Sequence, residues 1–123
     1  MPKYSFTLPQ VQQLSKRGNL IPIFREVLAD FETPLSAYLK IEGKGPAYLL
    51  ESVEGGEQIA RYSFLGSGAR IVFRSRGKEI ILEGGDGRRS RFRTTTDPLS
   101  ELRKLLAPYR SVKDPRLPRF SGG

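Results

Sequence analysis

Ala69-Arg70-Ile71-Val72-Phe73-Arg74-Ser75-Arg76-Gly77-Lys78-Glu79-Ile80-Ile81-Leu82 is the stretch on which the fold class turns. Ala69 to Arg74 and Glu79 to Leu82 are short runs rich in β-branched and aromatic residues, the composition of strands. In Arg70-Ile71-Val72-Phe73-Arg74 basic residues alternate with apolar ones, as in a half-buried strand. Ser75-Arg76-Gly77-Lys78 joins the two runs, and glycine at the third position suits a hairpin with a bulge. Downstream, Gly84-Gly85-Asp86-Gly87 reads as a turn into Arg88 to Thr94, whose polar composition predicts an exposed edge strand or loop. Upstream, Ala47 to Val53 reads as a buried strand. Gly55-Gly56 turns the chain, and Ile59 to Leu65 returns as a second strand, ending at Gly66-Ser67-Gly68.

Three helix signals surround these strands. Thr7 is an N-cap candidate with Pro9 in the first turn and Gln10 at the capping-box position, and Gly18-Asn19 stops that helix. Thr33-Pro34 starts a second helix, with Leu35, Tyr38 and Leu39 on one face and Gly43 and Gly45 at its end. Asp97-Pro98 starts a third, with Leu99, Leu102, Leu105 and Leu106 as its apolar stripe and Pro108 closing it. Leu20 to Leu28 is predicted as a strand interrupted at Pro22. After Tyr109, prolines and mixed charge predict a surface excursion. Helices and antiparallel strands without a βαβ repeat give the class α+β.

The 123 residues suffice for a domain with a core. Hydrophobic residues are 37% and charged residues 28%, a globular balance with no apolar run long enough to span a bilayer. Met1-Pro2-Lys3-Tyr4-Ser5 lacks the apolar region of a secretory signal, so a cytoplasmic location is expected. Cysteine and histidine are both absent. The usual general base near neutral pH, the best nucleophile and the commonest transition-metal ligands are therefore missing, which points to binding or regulation. The net charge of +8 concentrates between Arg70 and Arg93. Such a surface attracts nucleic acid or an acidic protein. The alternation with apolar residues, and the lack of interleaved aromatics for stacking bases, favour a solvated strand face.

Few residues carry a chemical signal. Gly66-Ser67-Gly68 has the first two glycines of a dinucleotide fingerprint, but Ile71 stands at the third position and a strand follows, so a tight turn is the better reading. Glu51 and Glu54 are spaced to opposite faces of a strand, and Asp30, Glu32 and Glu42 have no companions at metal spacing. No catalytic, cofactor-binding or metal-ligating residue is expected in this chain. Leu49-Leu50-Glu51-Ser52 is, on its residues alone, a strand whose last two members turn polar at its edge. Solvation explains this. The competing reading is a site for a small zwitterion, with Glu51 facing the ammonium, Ser52 donating a hydroxyl, and Arg61 supplying a cation from the returning strand.

Phe31-Glu32-Thr33-Pro34-Leu35-Ser36-Ala37-Tyr38-Leu39-Lys40, Leu49-Leu50-Glu51-Ser52-Val53-Glu54-Gly55-Gly56-Glu57 and Arg61-Tyr62-Ser63-Phe64-Leu65-Gly66 together resemble anthranilate synthase component I. Gly18-Asn19-Leu20-Ile21-Pro22 and Phe120-Ser121-Gly122-Gly123 match as well. The resemblance implies an enzyme that converts chorismate to anthranilate and pyruvate, using magnesium and ammonia from a glutamine amidotransferase subunit. It implies that residues 1–123 form an N-terminal regulatory region, inactive alone, with the chorismate-binding catalytic domain lying beyond them. The family fold is an α/β/β/α arrangement of orthogonally packed antiparallel sheets, to which this region adds strands and flanking helices. Ser52 and Glu51 match the Ser and Glu of the family's L-tryptophan effector site, and Arg61 is the nearest match to a basic residue of that site. The absence of a closing helix at Arg119-Phe120-Ser121-Gly122-Gly123 agrees with a chain that continues.

Two rival readings stand beside this. Aminodeoxychorismate synthase component I, of the folate pathway, has a similar N-terminal region; the Glu-Thr-Pro-Leu-Ser-Ala segment favours the anthranilate enzyme. The arginine cluster motivates a free-standing nucleic-acid-binding module. Apolar faces made to pack on a further domain also predict self-association of the isolated chain.

Overall fold

The computed structural model describes residues 3–51 and 62–119. The class is α+β, with three helices and two antiparallel sheets among the described residues. The chain divides into two compact units, one comprising residues 1–28 and 99–123 and the other Ala29–Pro98. No helix among the described residues is long and apolar enough to cross a membrane.

In the first unit, helix α1 (Leu8–Leu14) begins as its sequence predicts. The Gln10 side-chain oxygen accepts from the Thr7 backbone N–H at 2.8 Å, and Pro9 occupies the first turn, where its missing N–H is harmless. Leu20 to Leu28 is not a strand. Pro22 has no N–H to give a ladder, and the segment's backbone bonds to other segments are made at Leu20 and Phe24, with different partners, rather than along a continuous ladder. Leu20 forms an isolated parallel bridge with Ser111, and the Phe24 N–H donates to the Ser5 hydroxyl at 3.0 Å while its carbonyl accepts from the Ser5 N–H at 2.8 Å. Asn19 ties this segment to the C-terminal one. Its amide donates to the Pro108 carbonyl at 2.7 Å and its side-chain oxygen accepts from the Arg110 N–H at 2.6 Å.

The C-terminal excursion is anchored by Arg116. The guanidinium makes two-pronged contact with Asp114 and sits 4.9 Å from the ring centroids of both Phe6 and Phe24, which meet edge to face. Val112 is buried nearby in sequence. The hydrogen bonds from Arg116 hold the Asp114 carboxyl below the usual carboxylate range. Helix α3 (Pro98–Leu106), whose residues from Leu99 onward belong to this unit, half-buries Leu102 and Leu105. Leu99 and Leu106 remain exposed, so the predicted four-leucine stripe is buried only at its middle.

In the second unit, strands β3 (Ile71–Arg76), β4 (Glu79–Gly84) and β5 (Arg89–Arg93) form one sheet with β4 in the centre. Arg76 pairs with Glu79, leaving a two-residue turn, Gly77-Lys78, in place of the expected bulged loop. Gly77 has φ +58° while Lys78 stays at negative φ, the pattern of a turn with glycine at its first central position. β5 is the exposed edge strand its composition predicts. Asp86 shapes the preceding turn, its carboxylate accepting from the Arg88 N–H at 3.0 Å, and Gly87 takes φ +83°. The two faces of this sheet differ sharply. Ile71, Phe73, Ile80, Leu82 and Phe92 share one face, and Ile80 there is fully buried. Arginines and glutamates share the other.

Candidate functional site

The resemblance points to the end of a two-stranded hairpin. β1 (Ala47–Leu50) pairs antiparallel with β2 (Phe64–Ser67), from Ala47 opposite Ser67 to Leu50 opposite Phe64. Both strands differ from expectation. β1 ends at Leu50 among the described residues. Ile59 to Arg61 of the second expected strand lie outside the described residues; among those described, β2 begins at Phe64 and runs through Gly66-Ser67, which was expected to turn. Of the expected Gly66-Ser67-Gly68 turn only Gly68, with φ +71°, lies outside the strand. Gly66 stays in the strand because Tyr48, its cross-strand partner, lays its aromatic side chain where a Cβ would stand.

Helix α2 (Pro34–Ile41) packs against both strands and supports the site from one side. Its start explains the Glu32-Thr33-Pro34-Leu35-Ser36 sequence. Thr33 Oγ1 accepts from the Ser36 N–H at 3.1 Å, and Ser36 Oγ accepts from the Thr33 N–H at 2.9 Å, a reciprocal cap. Ser36 Oγ also donates to Glu32 at 2.6 Å, and Lys40 forms an ion pair with the other carboxylate oxygen. Lys40 first, then Ser36, lowers the Glu32 pKa from its ordinary value. Sequence reasoning missed Ser36, because the usual signature has glutamate or glutamine at that position. Its signal was the Thr-x-x-Ser spacing itself.

Of the three predicted effector residues, the structure describes one. Glu51 is the first residue beyond the last β1–β2 pair and is exposed. Ser52 and Arg61 lie outside the described residues, as do Val53 and Glu54. Leu50 and Tyr62 flank this end of the hairpin with partly exposed apolar surface, and the Tyr62 and Phe64 rings lie 6.1 Å apart. A carboxylate beside apolar side chains at a strand end can accept hydrogen bonds from an ammonium group while the apolar side chains meet a hydrophobic substituent. Among the described residues no cluster of three or more acidic side chains is placed to hold a metal.

Known proteins resemble the chain along most of its length. The chain is 43% identical over 122 residues to anthranilate synthase component 1 of Aquifex aeolicus, 97% of the chain aligning to 24% of that protein. The chain's relatives are anthranilate synthases. It is 38% identical over 118 residues to component 1 of Acetivibrio thermocellus, and 44% identical over 112 residues to that of the Synechocystis strain Kazusa. The similarity thus runs through α1, α2 and both sheets rather than resting on the hairpin alone. The chain spans about a quarter of the length of these component 1 proteins. No protein-family profile matches it, and no solved structure does.

Proposed function

We propose that residues 1–123 are the N-terminal, L-tryptophan-sensing region of an anthranilate synthase component I. The parent enzyme converts chorismate and ammonia, the latter from a glutamine amidotransferase subunit, to anthranilate and pyruvate in tryptophan biosynthesis. The observation that carries this reading is the similarity to component 1 proteins across 90–97% of the chain for the three relatives above, joined to the position of Glu51 at the end of β1. Glu51 takes the ammonium of the amino acid, and Leu50 and Tyr62 offer apolar surface to an indole. Ser52 and Arg61 complete the polar half of the site.

In this reading the chain alone has no lyase activity. Tryptophan favours one state of the longer enzyme and chorismate another. Linkage then requires each ligand to weaken binding of the other by the same factor. Calorimetric titration of tryptophan into the longer enzyme, with and without chorismate, tests the coupling; an unchanged affinity sinks it. Glu51→Gln in that enzyme weakens tryptophan binding by about tenfold, the loss of one charge-assisted hydrogen bond. Identifying anthranilate as the product separates this enzyme from the aminodeoxychorismate one. The exposed side chains of Phe31, Leu35 and Leu39 support self-association of the isolated chain, which light scattering across a concentration series tests.

A further inference from the structure

The charged face of the β3–β4–β5 sheet has an arrangement that neither the effector site nor the fold requires. The registers place Arg74, Arg76, Arg89, Arg91 and Arg93 on it, flanking Glu79, Ile81 and Glu83 of the central strand, with Val72 in the remaining position. All five arginines are exposed. Glu83 pairs with Arg74 at 2.8 Å and with Arg89 at 3.5 Å, and Glu79 pairs with Arg91. These contacts hold three guanidinium groups in place. Arg76 and Arg93 flank Glu79 on either side, roughly 10 Å apart at two strand spacings, and among the described residues neither has an ion-pair partner. Lys78, in the turn beside them, adds to the positive end.

We propose that this face docks a protein surface bearing carboxylates around an apolar centre, with Arg76 and Arg93 as the principal contacts. Three features favour a protein over nucleic acid. The aromatic residues of the sheet, Phe73 and Phe92, lie on the opposite face, so no base can stack here. Glu79 and Glu83 occupy the middle of the patch, where a phosphate backbone would meet like charge and a protein can place complementary groups. Ile81 supplies apolar area at the centre, between Arg74 and Arg91, with Val72 adding to it at one corner, the anatomy of a protein interface. A second copy of the chain does not fit, because its net charge is +8 and the facing patch would be equally basic.

The test is an NMR titration of the full chain, isotope-labelled, at low salt. The probes are a soluble peptide alternating glutamate and valine, an all-glutamate peptide of equal length, and a short DNA duplex. The mixed peptide is expected to shift the amides of β3 to β5 and to bind more tightly than the all-glutamate one. Replacing Arg76→Gln and Arg93→Gln together should weaken it about tenfold. The charge-matched pair Arg17→Gln and Lys113→Gln should leave it unchanged. All four positions are exposed, and thermal melts verify that both variants fold. Equal loss in both variants overturns the proposal, as does no gain from valine. Tighter DNA binding on the same amides, or concentration-dependent shifts there without any probe, also overturns it.

Discussion

The Tyr48 side chain lies over Gly66, its antiparallel partner, so closely that a Cβ on Gly66 would fall 2.6 Å from Cε1, 2.7 Å from Cζ and 2.8 Å from Oη. Gly66 therefore serves as the floor for an aromatic ring, and the hairpin that carries Glu51 depends on this contact. Gly66→Ala must push the ring aside and lower stability by about 1 kcal/mol. In a Tyr48→Ala background the same change should become neutral or stabilising, because alanine is the better strand residue once the ring has gone. A thermal double-mutant cycle measures the sign. Additive effects would show that the two residues do not interact.

Gly18 and Asn19 should be among the most sensitive positions in the first unit. Gly18 is buried, and a Cβ there would overlap the Arg110 backbone carbonyl and the Val112 side chain. A carbonyl cannot swing away as a ring can. Gly18→Ala is expected to cost roughly 2–3 kcal/mol, and Asn19→Ala about 1–2 kcal/mol for its two long-range hydrogen bonds. Chemical denaturation of each variant checks both values.

The cap of α2 should respond more to Ser36 than to Thr33. Thr33→Ala removes one acceptor and is expected to cost about 1 kcal/mol. Ser36→Ala removes the return bond of the cap and the anchor of Glu32, so its cost should be larger. Ser36→Glu should keep most of the cap, as glutamate is the usual occupant of that position. Melting temperatures of the three variants establish the order; equal losses for both alanine variants would contradict it.

Acid should destabilise the chain through Asp114, Glu32 and Glu83. Arg116 lowers the Asp114 pKa, Lys40 that of Glu32, and Arg74 that of Glu83. A carboxyl lowered in the folded state contributes stability that is complete above its unfolded pKa. That contribution is lost as pH falls through the folded value, because the unfolded chain then binds more protons. Melting temperature should therefore fall on acidification below the ordinary carboxylate range. Asp114→Asn should flatten that decline at its acid end. High salt should shrink the contributions of the more exposed Glu32 and Glu83. A pH profile for Asp114→Asn parallel to that of the wild type would rule out the Asp114 contribution.

Much of the fold is legible in local signals. Thr7 with Gln10, Thr33 with Pro34, and Asp97 with Pro98 mark helix starts by chemistry that acts within three or four residues. The β3–β4 hairpin and the exposed β5 follow from alternation and glycine placement. The errors fall where distant partners decide. Leu20 to Leu28 has the apolar content of a strand, but Leu20 bonds to Arg110 and Val112 while Phe24 bonds to Ser5, so no continuous ladder forms. Gly66-Ser67 looks like a turn until Tyr48 is opposite it. At the site, the polar end of Leu49-Leu50-Glu51-Ser52 is visible in the sequence, and the exposed apolar residues beside Glu51 become so only once the hairpin register is known.

What the sequence alone determined is the α+β class, the three helix starts, the basic stretch from Arg70 to Arg93, and the relationship to anthranilate synthase component I. Capping, turn formation and alternation are short-range, and a family motif is a string, so each can be read along the chain. Tertiary structure alone decided that β2 runs through Gly66, that Arg116 closes over Phe6 and Phe24, and that five arginines share one face while the apolar residues share the other. These depend on register and on contacts between residues far apart in sequence, and a shift of one residue in a strand exchanges its two faces.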